Sequence, residues 1–199
     1  MSTRSPPADT SAVRKTARTP QDWIDAATEV LTERGIDSVR LDALARQLEV
    51  TRGSFYWHFR DREELLRRVL QSWRERNTEQ LTHRLQNASN DAVEQLRDII
   101  SLPFRGRAAE RAARIELAIR AWARRDATAR QVVDEADASR IGYIAQVFSS
   151  LGFGIGEARG RAYLLYSYVV AESQMANQGA AAPRRLLVER LMQTVLVGR

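Results

Sequence analysis

Five prolines are spread over 199 residues, and where they fall constrains the fold more than any other feature of the chain. No proline occurs between Pro20 and Pro103, or between Pro103 and Pro183. In both stretches the apolar residues recur every three or four positions. No segment combines period-two alternation with the composition of a strand. A chain of this kind predicts helix after helix, and the expected fold class is all-α with about nine helices.

The local signals agree with that pattern. Thr19-Pro20-Gln21-Asp22 is a helix start, with Thr at the N-cap, Pro in the first turn and an acid at the third position. Trp23, Ile24, Ala27, Val30 and Leu31 follow on one face, and Gly35 is expected to stop the helix in a left-handed conformation. Leu41, Leu44, Ala45 and Leu48 form a short apolar pattern, and Phe55, Tyr56 and Phe59 form another. Asp61 then caps a long helix carrying Leu65, Leu66, Val69, Leu70 and Trp73. Further helices are expected near 90–103, 107–124, 127–151, 156–178 and 184–197. The three glycines of Gly152–Gly156 follow a helix rather than a strand, so they are read as a loop between helices.

Composition removes several classes of function. There is no cysteine, which excludes disulfides, thiol catalysis and cysteine-ligated metal sites. With two histidines, His58 and His83, far apart in the chain, no metal set is expected. No acid pair or nucleophile with a base stands out, so an enzyme is not expected, and neither is a cofactor. No apolar run reaches the roughly 20 residues of a membrane-spanning helix, and no apolar leader pattern opens the chain. A cytoplasmic protein without a membrane partner is the expectation.

The net charge is +6, and thirty of the thirty-one basic residues are arginine. Residues 1–18 are rich in Ser, Thr, Pro and Arg, and read as a disordered basic arm. Residues 20–60 hold five arginines against seven acids. A polyanion-binding surface there must be one face plus the arm, not a uniformly basic domain.

Residues 40–59 carry the functional signal. Two helices too short to be stable alone are joined by a tight turn around Leu48–Val50, which is the build of a helix-turn-helix. The second would begin at Thr51 and present Thr51, Arg52, Gly53 and Ser54 in its first turn, with Phe55 and Phe59 facing inward. The residues Gly35, Val39-Arg40-Leu41, Leu44-Ala45, Val50-Thr51-Arg52-Gly53, Phe55-Tyr56-Trp57-His58-Phe59, Asp61-Arg62 and Leu65-Leu66 resemble the TetR/AcrR family of bacterial transcriptional regulators. The resemblance covers residues 19–73. It implies a domain division of 19–65 for a helix-turn-helix DNA-binding domain and 66–199 for ligand binding and dimerisation.

The resemblance also implies roles. Arg40, Thr51, Tyr56, His58 and Arg62 would hold backbone phosphates, and Arg52 would read a base edge. Gly53 would allow close approach to the groove floor, Ser54 would add a polar contact, and Trp57 would pack on sugar or a thymine methyl, or else on the neighbouring helix. Glu49 stands where the family usually has glycine in the turn, and a positive φ there would cost on the order of 1 kcal/mol. An effector pocket is implied among the middle helices, with Phe104, Arg120, Trp122, Tyr143 and Tyr166 as the expected ligand contacts. Surplus apolar residues in the last two helices, among them Leu164, Leu186, Leu187 and Leu191, predict a homodimer through that pair. The implied partners are operator DNA and a small-molecule effector that releases a repressor. The alternative is a DNA-binding regulator or adaptor without an effector, which a C-terminal domain lacking a cavity would favour.

Overall fold

The computed structural model describes residues 18–175 and 181–197; the basic arm expected over 1–18 lies outside the described residues except for Arg18. All regular structure among the described residues is helical. The elements are α1 (Pro20–Arg34), a 3-10 turn (Ile36–Ser38), α2 (Leu41–Gln47), α3 (Arg52–Phe55) and α4 (Arg62–Arg74). A π-helical turn (Glu75–Glu79) joins α4 to α5 (Gln80–Ala88). Then come α6 (Ala92–Ser101), a 3-10 turn (Leu102–Phe104), α7 (Arg107–Ala123), α8 (Ala127–Ser150), α9 (Ile155–Gln174) and α10 (Ala181–Leu196). With α4 and α5 counted as one rod, the described residues hold nine helices, in agreement with the sequence expectation.

The start and stop signals act as chemistry requires. The Thr19 hydroxyl accepts from the Asp22 amide at 3.3 Å, and the Asp22 carboxylate accepts from the Thr19 amide at 2.7 Å, closing a capping box on α1. Asp61 caps α4 by accepting from the Glu64 amide at 2.7 Å. Gly35 does take a positive φ, +79°, but its ψ of 172° is extended, not left-handed helical as expected; the chain turns outward into the 3-10 segment. Glu49 has φ +56°, the one non-glycine positive φ among the described residues, so the turn does carry the backbone cost that its sequence implied.

Two apolar clusters organise the molecule. One holds Trp23, Leu31, Leu44, Phe55, Phe59, Leu65, Leu70 and Trp73, and continues into Ile119, Trp122, Ala129 and Val133 of α7 and α8. A boundary drawn at 65/66 therefore crosses a continuous core, because the same face of α4 packs α1 on one side and α8 on the other. The second cluster joins α6, α8, α9 and α10 through Leu96, Ile100, Ile144, Phe148, Leu165 and Met192. Among the described residues no helix is long and apolar enough to cross a membrane.

Candidate nucleic-acid interface and ligand cavity

The helix-turn-helix is anchored by aromatic packing. Phe55 is fully buried, meeting Trp23 edge-on and stacking on Phe59, each at 5.3 Å between ring centroids. With these two rings inside, the intervening residues of the same short turn must point out. Tyr56 meets the Phe55 ring edge-on at 5.3 Å yet is 54% exposed, and Trp57 is 83% exposed, an unusual state for rings of this size. Thr51, Arg52 and Gly53 are exposed ahead of them. A Cβ added at Gly53 would meet only the Thr51 hydroxyl at 3.7 Å, so nothing within the chain demands glycine there. The demand, if any, comes from outside.

The charged groups divide into mobile and fixed. Arg52 pairs with Asp42 of α2 at 3.1 Å, both side chains well exposed. Such a pair is worth little in water, so the guanidinium is easily released to another acceptor. Arg40, the N-cap of α2, is exposed and donates to the Asp37 carbonyl at 3.3 Å. Arg62 is turned inward instead: its Nε donates to the Val39 carbonyl at 2.6 Å and its Nη2 to the Ile36 carbonyl at 2.8 Å. It braces the 3-10 turn against the start of α4. His58 is half-buried, and its Nε2 donates to the Arg18 carbonyl at 2.8 Å, since a carbonyl can only accept. Arg18 in turn donates from Nε to the Leu48 carbonyl at 3.0 Å, at the end of α2. Arg18 and His58 thereby fasten the chain entering α1 to the recognition turn. Ser54 has a buried hydroxyl without a partner among the described residues.

Sequence comparison is consistent with this geometry. Residues 24–69 match the family described as bacterial regulatory proteins, tetR family. The N-terminal domain belongs to that family. Over 63 residues the chain is 48% identical to the HTH-type transcriptional regulator SrpR of Pseudomonas putida, an alignment covering 30% of each protein. Over 51 residues it is 35% identical to the HTH-type transcriptional regulator AcrR of Shigella flexneri, covering 26% of this chain and 24% of that one. The matches thus span less than half of these curated relatives' length. Solved structures extend the likeness in fold. A transcriptional regulator from Rhodococcus sp. Rha1 superposes with a TM-score of 0.72 at 20% identity, over 91% of this chain and 97% of that one. FadR from Bacillus subtilis, solved with stearoyl-CoA, gives 0.65 at 18% identity, over 91% and 100%.

Beyond the TetR-type domain lies a cavity of about 440 Å³ between α5, α6, α7, α8 and α9. Its wall on α7 is a ribbon of small residues, Ala108, Ala109, Ala112 and Ala113, and the missing side-chain volume is what leaves space there. Leu81, Leu85, Ile99, Leu102, Ile144, Val169 and Val170 supply the remaining apolar walls. Two of the ligand contacts expected from sequence, Tyr143 and Tyr166, line it. The Tyr143 hydroxyl is buried without a partner among the described residues. Burial, and secondarily the nearby Asp98 carboxylate, push it above the usual tyrosine range.

The other three expected contacts stand elsewhere. Phe104 sits in the 3-10 turn beside the cavity without lining it. Trp122 faces the other way on α7, into the core shared with α1 and α4, and lines a separate cavity of about 250 Å³. Arg120 lies behind the wall, in an ionic network that the sequence reading missed.

That network closes the deep end of the cavity. Arg120 grips Asp137 with Nη1 at 2.9 Å and Nη2 at 2.6 Å, and reaches Glu116 Oε1 with Nε at 2.9 Å. Arg140 donates from Nη1 to Glu116 Oε1 and to Tyr166 Oη, both at 3.0 Å. It also donates from Nε to Thr78 Oγ1 at 3.0 Å and from Nη2 to the Asn77 carbonyl at 3.3 Å, both in the π-helical turn. Its guanidinium lies over the Trp73 ring, 5.3 Å from the centroid. The Tyr166 hydroxyl donates to Asp137 at 2.6 Å. Burial alone would raise Asp137, but the hydrogen bonds from Arg120 and Tyr166 outweigh it and hold the carboxyl below the usual range. Burial, reinforced by the bond to Asp137, raises the Tyr166 hydroxyl to about 12.

A signal for the network did exist in the sequence. Ala129, Val133, Ala136, Arg140, Tyr143 and Val147 share one face of α8, so Arg140 falls in the buried register. Among the described residues no group of three or more His, Asp or Glu side chains is arranged to hold a metal ion.

Proposed function

We propose that the chain is a transcriptional regulator that binds duplex DNA through α2 and α3 and responds to a small molecule held in the α5–α9 cavity. The observation that carries the DNA-binding part is the inside-out arrangement at α3. Phe55 and Phe59 are buried while Tyr56, Trp57, Arg52 and Thr51 are exposed on the same turn. Such a turn fits a major groove, with Arg52 offered to a base edge and Arg40 and Tyr56 to phosphates. His58 and Arg62 act one step back, by holding the segments that carry these groups. The cavity favours an effector-responsive regulator over an adaptor without one.

The coupling between the two sites is the α4–α5 rod. Arg140 holds its π-helical turn through Asn77 and Thr78 and covers Trp73 at the end of α4, while the same arginine lines the cavity. A ligand that draws Arg140 away from the turn re-aims α4, and with it α3. The ligand must prefer the re-aimed state for this to release DNA, and operator DNA must weaken ligand binding by the same factor. Repression relieved by effector is the mode this supports.

A homodimer through α9 and α10 completes the reading. Tyr163, Leu164, Leu186 and Leu187 are exposed on these helices, whereas Leu191, Val195 and Leu196 pack against the protomer's own core. A two-fold four-helix bundle would cover the exposed set and pair two α3 helices on a palindrome.

Selection of oligonucleotides on the purified protein, followed by anisotropy titration, tests the proposal. Arg52→Ala is expected to lose roughly 1–3 kcal/mol on the selected site and to relax preference at one base pair per half-site. Equal loss on selected and random DNA would remove the base-reading role. Leu187→Asp is expected to give a folded monomer by light scattering that no longer retains the selected site.

A further inference from the structure

We infer that the cavity takes an amphipathic organic anion, an elongated apolar body with its acidic head at the mouth beside Arg84. The inference rests on the regulator reading only for the use to which the site is put.

Shape sets the body. From Ala108 to Glu116 the cavity follows eight residue steps of α7, about 12 Å at the helical rise. Alanines line that whole path, and the opposing walls are aliphatic, so the space suits a chain or a narrow ring system.

Charge sets the head, and here the two ends differ. At the deep end every ionised group is already matched. Glu116 is shared by Arg120 and Arg140, and Asp137 is gripped by Arg120. Two cations and two anions sum to zero there, so this end offers a ligand charge of either sign no free counter-ion. Elsewhere on the lining Asp98 is paired with Arg105 at 2.6 Å, and Arg76 with Asp25 of α1 at 3.3 Å. Arg84, exposed on α5 and lining the same cavity, donates Nε to the Gln80 carbonyl at 3.3 Å and has no acidic partner among the described residues. Both carboxylates that line the cavity are thus neutralised, and the one unmatched charge is positive. A cationic ligand would have to break an existing ion pair, whereas an anionic one completes a pair that is missing. Since Arg84 is solvated, the preference is expected to be modest, on the order of tenfold, and to shrink with added salt.

The test uses the full chain and three twelve-carbon amphiphiles below their micellar concentrations: dodecanoate, dodecanol and dodecyltrimethylammonium, titrated by calorimetry. Dodecanoate is expected to bind about tenfold more tightly than the ammonium compound. Arg84→Glu, a surface change that leaves the core intact, is expected to reverse that order while leaving dodecanol unaffected. Ala113→Leu, which narrows the ribbon, is expected to weaken all three. Equal or tighter binding of the ammonium compound, an unchanged preference in Arg84→Glu, or no binding by any of the three would overturn the inference. Anisotropy on the selected operator, run without amphiphile, keeps the two readings apart. Operator binding without anion preference sinks the ligand class alone, and anion preference without operator binding sinks the regulator reading alone.

Discussion

The surroundings of Phe55 and of Glu116 are built on opposite plans. Around Phe55 the interior is packed with Trp23, Phe59, Leu44 and Leu65, and the groups proposed to meet DNA, Arg52, Tyr56 and Trp57, stand outside. Around Glu116 the interior holds two arginines, two carboxylates and a phenol beside an unfilled cavity, and the chemistry is inside. A surface that must press into a groove needs a stiff backing, which close apolar packing supplies. A site that must admit a ligand and report it needs empty volume and bonds that can be exchanged. On the function proposed above, this difference would let one helical chain be stiff behind α3 and responsive at α8. Arg140 is where the two plans meet, touching both Trp73 and the cavity.

Substitutions can break this contrast, beginning with the apolar end. Phe55→Ala removes a fully buried ring and is expected to cost about 3–5 kcal/mol in urea unfolding, with loss of DNA binding. A cost under about 1 kcal/mol would mean that the helix-turn-helix is not packed as described. At the polar end Arg140→Ala strips Glu116 of one cation and uncovers Trp73. Destabilisation of about 3 kcal/mol is expected, along with a shifted tryptophan emission. Arg62→Ala separates a bracing role from a phosphate contact. Loss of its two bonds to the Val39 and Ile36 carbonyls is expected to cost about 2 kcal/mol of stability without DNA present. Unchanged stability with a flatter salt dependence of DNA binding would instead favour the phosphate role.

Three smaller effects sharpen the picture. The Tyr166 hydroxyl is raised in the folded protein, so its contribution is complete below pH 10 and fades as pH rises from about 10 to about 12. Tyr166→Phe is expected to remove that alkaline loss of about 1–2 kcal/mol from a pH series of melting curves. Asp137 has the opposite sign. Its contribution is full at neutral pH and is lost as pH falls below the ordinary aspartate range and through its lowered folded value. Least of all, Glu49→Gly relieves a positive φ and is expected to raise stability by no more than about 1 kcal/mol, leaving DNA affinity unchanged.

Much of the helix-turn-helix was legible before any coordinates. Thr19, Pro20 and Asp22 announce α1, Asp61 announces α4, and the four-residue spacing of Phe55 and Phe59 sets which side of α3 is buried. These are local signals, each written within a turn or two of the residue it governs. The ligand side was far less legible. Of five expected contacts, Tyr143 and Tyr166 reach the cavity, while Trp122 and Arg120 point into other packing because α7 presents three different faces to α1, α8 and the cavity. Aromatic residues in a helix mark burial, but not what they are buried against.

By itself the sequence determined an all-helical chain, the positions of its helix starts, the inward aromatics of α3 and the strained turn at Glu49. Each follows from backbone geometry and short-range hydrogen bonding. Only the tertiary structure decided that Arg62 and His58 turn inward, that Glu116, Arg120, Asp137 and Arg140 meet, and that an alanine ribbon borders empty space. Those outcomes depend on how helices distant in sequence are set side by side, and a charge or a missing side chain acquires its meaning from the neighbour it faces.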